Sequence, residues 1–267
     1  MRKETSVTTE AYDWDAIIGG LNQYLRLRSI PIGMKLFESA AEMEAIPKIR
    51  RPKVKHTTDQ IVAQARQLGW TVGITMEDLV GAQCGAVIGL HPQNEEWLSG
   101  HRMAGVWFKT QEDASLHQHA MDCVPFGRYS AMAVAPLASG RLDPPDICLL
   151  YGTPGQMIFM INGLQWSGYK KMTFTSVGES ACADSWGKAL KTGEPSLTIP
   201  CYAERRYGGV ADDELLMALP PRYLPKMVDG LAALSKNGLR YPVPPYGIQG
   251  DAGAGLAVSY SDKDKKK

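Results

Sequence analysis

The sequence predicts an α/β fold: a single domain with a mixed or mostly parallel sheet covered by helices. Two observations carry that expectation. Apolar residues recur at helical spacing in segments of ten or so residues, and short strand-type runs stand between those segments. Strands separated by helices favour parallel order, because parallel neighbours need a crossover connection. The composition agrees with a globular chain: 267 residues, 44% hydrophobic and 21% charged, are enough to bury a sizeable core.

The elements follow in order. Asp13 is an acidic cap for a helix running to Leu27, with Trp14, Ile17, Ile18, Leu21 and Leu25 on one face. A strand is predicted over Ile32 to Phe37, after Pro31. Thr57 to Leu68 reads as a helix with a Thr-Thr-Asp start, and Trp70 to Thr75 as a strand. Met103 to Phe108 reads as a further strand, and Gln111 to Met121 as a helix. Ser130 to Leu137 and Asp146 to Tyr151 are buried-type strands. Thr153-Pro154 opens a helix over Gly155 to Trp166, since proline suits a first helical turn. Lys171 to Ser176 alternates as a strand, Glu214 to Leu219 is another, and Pro225 to Ser235 closes the domain as a helix.

These segments divide the chain into an N-terminal arm (1–12), one α/β domain (13–240) and a tail (241–267). The tail opens as Tyr241-Pro-Val-Pro-Pro-Tyr-Gly, extended and Pro-rich, and ends in Ser261-Asp-Lys-Asp-Lys-Lys-Lys. It is expected to lie against another surface, in a second copy of the chain or a partner subunit. The basic tract Lys48 to Lys55 reads as a solvated loop, with a contact to an anionic ligand or partner as the alternative.

Charge and hydropathy narrow the function classes. Twenty-nine Lys plus Arg against 28 Asp plus Glu leave no global field to gather nucleic acid or an anionic membrane. The longest apolar runs fall far short of the ~20 residues of a membrane span, and Met1-Arg-Lys-Glu-Thr-Ser lacks the apolar core of a signal peptide. The expectation is a cytoplasmic protein with no membrane and no nucleic-acid partner, whose five cysteines are free thiols.

Three of those cysteines stand out. Cys182 and Cys201 bracket the turn Thr192-Gly193-Glu194-Pro195, and Cys84 lies in a similar small-residue setting, Gln83-Cys84-Gly85-Ala86. Three thiols beside turns suggest a three-thiolate site for a soft metal or an iron–sulfur cluster. Zinc is a poor fit, because no closely spaced Cys-x-x-Cys pair is present. The alternative is that each thiol simply packs as a small hydrophobe. Cys148 within Ile147-Cys-Leu-Leu reads as core, and Cys123 as structural.

The order of short motifs resembles a known family. Cys84-Gly85-Ala86-Val-Ile-Gly89-Leu90 is followed by Val134-Ala-Pro136-Leu137 and Tyr151-Gly152-Thr153-Pro154-Gly155-Gln156. Then come Cys182-Ala-Asp184, Thr192-Gly-Glu-Pro195, Cys201-Tyr202 and Asp212-Asp213-Glu214-Leu215. Over roughly residues 14 to 235 this is similar to domain-of-unknown-function family 169, found broadly in bacteria and archaea. The resemblance implies a fold and a set of positions rather than a reaction. Many members carry a cysteine where this chain has His56 and a second where it has Glu204, so three of five family cysteines remain.

That set is read as metal ligands Cys84, Cys182 and Cys201 holding a 4Fe-4S cluster with one open iron, acting as a Lewis acid. The corresponding function is a non-redox lyase or hydratase acting on a small anionic substrate, with aromatic character as an option. A non-catalytic ligand-binding or accessory subunit without metal is the first alternative, and an electron-transfer protein the second. Glu204, Asp184 and His91 are the candidate catalytic acids and bases. Asp184, two residues after Cys182, shares its side if the backbone is extended. Arg205 and Arg206 are candidate clamps for a substrate carboxylate or phosphate, and Trp186 a candidate pocket wall. His117, His119 and Cys123 form a metal-like string, but on a helix they do not converge.

Overall fold

The computed structural model describes residues 12–245. Six strands form one sheet in the order β2-β3-β1-β4-β6-β5, and every pairing between neighbours is antiparallel. The strands are β1 (Ile32–Phe37), β2 (Val72–Thr75), β3 (Ala131–Pro136), β4 (Ile147–Gly152), β5 (Ser196–Thr198) and β6 (Leu215–Leu219). The parallel order expected from the sequence is therefore corrected. Runs such as Ile147 to Tyr151 are apolar throughout because helices cover both faces of the sheet, and that condition is more familiar in parallel sheets. Apolar patterning reports burial on each face, not the direction of the neighbour.

The two faces separate by strand alternation. Ile32, Met34, Met132, Val134, Leu149, Tyr151, Leu216 and Ala218 share one core with Ile61 and Ala65 of α3 (Thr58–Leu68). The region around α4 (Ala82–Val87) and the turn after Cys182 close over the same core. The opposite face carries Cys148, Leu150, Met217 and Leu219. Packed against these are α1 (Trp14–Leu25), α7 (Pro154–Gln165) and α10 (Tyr223–Lys236). A small satellite core puts Met43 of α2 (Ala40–Glu44) against Ala131, Ala133 and Ala135. The remaining helices are α5 (Glu95–Leu98), α6 (Gln111–Ala120), α8 (Lys188–Thr192) and α9 (Tyr202–Arg206).

Local chemistry fixes the element ends. Asp13 caps α1 by accepting from the Ala16 amide at 2.9 Å. Thr57 and Gln60 form a reciprocal capping box on α3, and Thr153 and Gln156 form another on α7. Gly69, at φ +68°, ends α3 in the left-handed region that favours glycine. Where α7 crosses α10, Gly163 meets Gly230, and a Cβ at Gly230 would collide with the Gly163 carbonyl oxygen. The two glycines set the separation of those helices.

Two predicted strands are absent. Met103 to Phe108 forms turns closed by one isolated bridge between Ala104 and Phe108; Gly105 takes φ +73° and Val106 and Trp107 face solvent. Lys171 to Ser176 alternates in sequence, but it has no neighbouring strand to pair with and runs as irregular backbone with Phe174 exposed. Alternation becomes a strand only where a sheet edge accepts its hydrogen bonds. In the tail, Tyr241 packs edge-on against Phe159 with ring centroids 6.2 Å apart. The predicted extended segment beyond residue 245 lies outside the described residues.

Candidate functional site: a buried thiol and carboxyl cluster

Cys84 and Cys182, 98 positions apart, come together under the sheet: the Cys182 thiol donates to Cys84 Sγ at 3.3 Å. Cys84 is the third residue of α4, whose N-cap is Gly81 at φ +82°. Cys182 stands at the head of a π-helical turn, Ala183–Gly187, that continues directly into α8. The flanking Ala181 and Ala183 are fully buried, so small side chains let the turn sit flat on the sheet. Gly187 permits the closest approach, since a Cβ there would collide with the Asp122 carbonyl. Ser180 links the two loops. Its hydroxyl accepts from Gln83 Nε2, and it holds φ +66°, a left-handed conformation that a non-glycine residue keeps only under constraint.

Around the pair lie carboxyls with little compensation. Asp59 of α3 is 3% exposed and Glu204 of α9 is 1% exposed; Asp59 Oδ1 and Glu204 Oε1 have no hydrogen-bond partner among the described residues. Glu204 Oε2 accepts from the Cys201 amide at 3.3 Å, which makes the pair a cap for α9. Burial, then the charge of Asp59, pushes the Glu204 carboxyl up to about 8. Burial raises Asp59 to about 6, with the Glu179 charge adding to it. Arg66 offers little relief. Its guanidinium is held by Glu214 at 3.1 Å and by the Gly209 carbonyl at 2.9 Å, and it lies 4.4 Å over the Tyr151 ring.

The thiols respond to the same surroundings. The hydrogen bond from Cys182 favours a Cys84 thiolate, but burial and the charges of Asp59, Glu204 and Glu179 outweigh it and hold that thiol above its ordinary value. Cys182 is raised well above its own, first by donating to Cys84 and then by burial. Among carboxylates, Asp59 acts most strongly on both. Cys201 is raised too, by burial and by Glu204. Cys84 is the more accessible of the pair, half-buried where Cys182 is 1% exposed.

The other predicted residues are placed as follows. Asp184 sits in a helical turn rather than extended backbone, so it does not share the side of Cys182; its Oδ2 accepts from the Val177 amide at 2.9 Å. Trp186 is fully buried in the core that holds Cys182. His91 is half-buried after α4, with Nδ1 3.0 Å from the Pro92 carbonyl oxygen. Arg205 is occupied by backbone, through Nε to Pro200 O at 3.1 Å and Nη1 to Ala211 O at 2.6 Å. Arg206 projects beside the Tyr202 and Tyr207 rings. His117 Nε2 meets the Glu179 carbonyl at 3.0 Å, while His119 Nδ1 meets the Ser115 carbonyl. Of the nominated set the structure thus gathers Cys84, Cys182, Cys201 and Glu204.

The iron–sulfur enzyme reading is corrected by this arrangement. Among the described residues no group of three or more His, Cys, Asp or Glu side chains has the geometry to hold a metal ion. Two sulfurs touch, and the third is turned into the α9 cap, so the set offers a pair instead of a tripod. Sequence reasoning also passed over Asp59 and Arg66. Their signal was present: both stand on the apolar stripe of α3 with Val62, where charged residues are rare unless they have a task.

Comparison with known proteins places the chain. It matches the family DUF169, described as uncharacterised ArCR, over residues 20–230. The chain belongs to this family. It is also similar to the uncharacterized protein MJ0308 of Methanocaldococcus jannaschii, at 26% identity over 126 residues, covering 46% of this chain and 53% of that protein. The match thus spans about half the length of that relative. No solved structure matches the chain.

Proposed function

We propose that this member of DUF169 is a thiol redox protein in which Cys84 and Cys182 cycle between dithiol and disulfide. The observation that carries the reading is their Sγ–Sγ separation of 3.3 Å. A disulfide needs about 2.05 Å, so closing the bond asks for a side-chain adjustment of ~1.3 Å. Cys84, the more accessible thiol, is the attacking group, and it reacts as the thiolate after losing its proton to solvent base. The thiolate attacks one sulfur of an external disulfide, whose S–S bond breaks and expels a thiolate. Cys182 then attacks Cys84 Sγ in the mixed disulfide and expels the second. Two electrons go to the external disulfide, and the two thiol protons end on its departing sulfurs.

Raised thiols disfavour the thiolate, so exchange is slow at neutral pH and accelerates as pH rises. The test is equilibration in glutathione buffers of graded ratio, followed by alkylation of free thiols and intact mass measurement. Wild type is expected to lose two labelled thiols reversibly, Cys201→Ser to behave like wild type, and Asp59→Asn, which removes the carboxylate charge that raises both thiols most, to oxidise faster. If all five thiols label at every ratio, the cysteines only pack and the redox reading fails.

A further inference from the structure

We propose that a second site, on the other side of the π-helical turn, binds a small organic anion with an apolar body. This inference is independent of the thiol pair. A cavity of about 380 Å³ lies between the loop that follows α7, helix α8 and the start of α10. Four lysines line it: Lys170, Lys171, Lys188 and Lys226. A single lining carboxylate, Glu194, opposes them, and it is already engaged, by Lys170 Nζ at 2.9 Å and by the Tyr223 hydroxyl at 2.9 Å. Among the described residues Lys171, Lys188 and Lys226 have no carboxylate partner, and Lys188 meets only the Thr175 hydroxyl, at 3.3 Å. Three unmatched ammonium groups on one concavity repel each other unless an anion enters, and a recessed wall focuses that field.

The rest of the lining defines the body of the ligand. Leu164, Met172, Pro195 and Tyr223 supply apolar surface, and Trp166 and Tyr169 stand exposed in the adjoining loop. Polar groups placed at one part of an apolar concavity fix orientation, which is the usual make-up of a small-molecule site. The loop Lys171 to Ser176, patterned like a strand but unpaired, forms part of the wall. Arg205, by contrast, has its donors directed at backbone carbonyls.

Phenyl phosphate is the probe, titrated calorimetrically into the full chain at low salt, with inorganic phosphate and benzyl alcohol as arms that separate charge from body. Saturable binding of one phenyl phosphate is expected, at least about tenfold tighter than either arm, weakening as salt rises. The double variant Lys171→Ala, Lys226→Ala should weaken it by about tenfold or more. Both lysines are exposed, so the fold persists, and unchanged near-ultraviolet circular dichroism verifies that. Lys236→Ala, at the far end of α10, should bind like wild type. No saturable binding, equal affinity for inorganic phosphate, or full affinity in the double variant would each overturn the proposal.

Discussion

Glu204→Gln should flatten the dependence of stability on pH between about pH 5 and pH 7. In the folded protein burial and Asp59 raise the Glu204 carboxyl from 4.5 to about 8. Across that window the folded state keeps a proton that the unfolded state has released, so the native state binds more protons and stability falls as pH rises. Below the unfolded value both states are protonated and the penalty is absent; above about 8 both are ionised and it levels off. At 1.36 kcal/mol per unit, the loss between pH 5 and pH 7 is about 2–3 kcal/mol. Asp59, raised from 3.8 to about 6, contributes a fall of the same sign that ends at lower pH and persists in the variant. The glutamine keeps an acceptor for the Cys201 amide, so the α9 cap survives. Urea unfolding of both proteins at pH 5, 6 and 7 measures the difference. Parallel curves for wild type and variant would refute a protonated, buried Glu204.

Three further outcomes follow from packing and charge. Gly230→Ala should destabilise the protein by about 1–3 kcal/mol, because the new methyl group meets the Gly163 carbonyl and forces α7 and α10 apart; thermal unfolding reads this, and a neutral result would contradict the close crossing. Arg66→Met should cost about 3–5 kcal/mol by leaving Glu214 buried without its cation, and most of that cost should return in an Arg66→Met, Glu214→Gln double variant. Cys148→Ser should cost about 1–3 kcal/mol for a hydroxyl in the opposite core and leave thiol oxidation unaltered; altered oxidation would mean that the two faces communicate.

Much of the fold was legible because it rests on short-range rules. The cap at Asp13, the Thr-Thr-Asp start at Thr57 and the Thr153-Pro154 start placed three helices almost to the residue, and β1 emerged over the predicted span. Strand direction was not legible, since helices on both faces make antiparallel strands as apolar as parallel ones. The short elements around the site were missed for a related reason. A six-residue α4 and a π-helical turn are too brief for periodicity to register, and tertiary contacts hold them. The site was half legible. Small residues around Cys84, Cys182 and Cys201 flagged the thiols, and Glu204 was singled out, whereas the pairing of only two sulfurs depends on a 98-residue loop closure that spacing cannot show.

The central claim is tested most directly by mapping the disulfide in protein oxidised by glutathione disulfide, using peptide mass spectrometry without reduction. A single intramolecular bond between Cys84 and Cys182, formed with a loss of two hydrogens and reversed by dithiothreitol, is the predicted result. A bond involving Cys123, Cys148 or Cys201 instead, or five thiols still free after exposure to the oxidant, would contradict it.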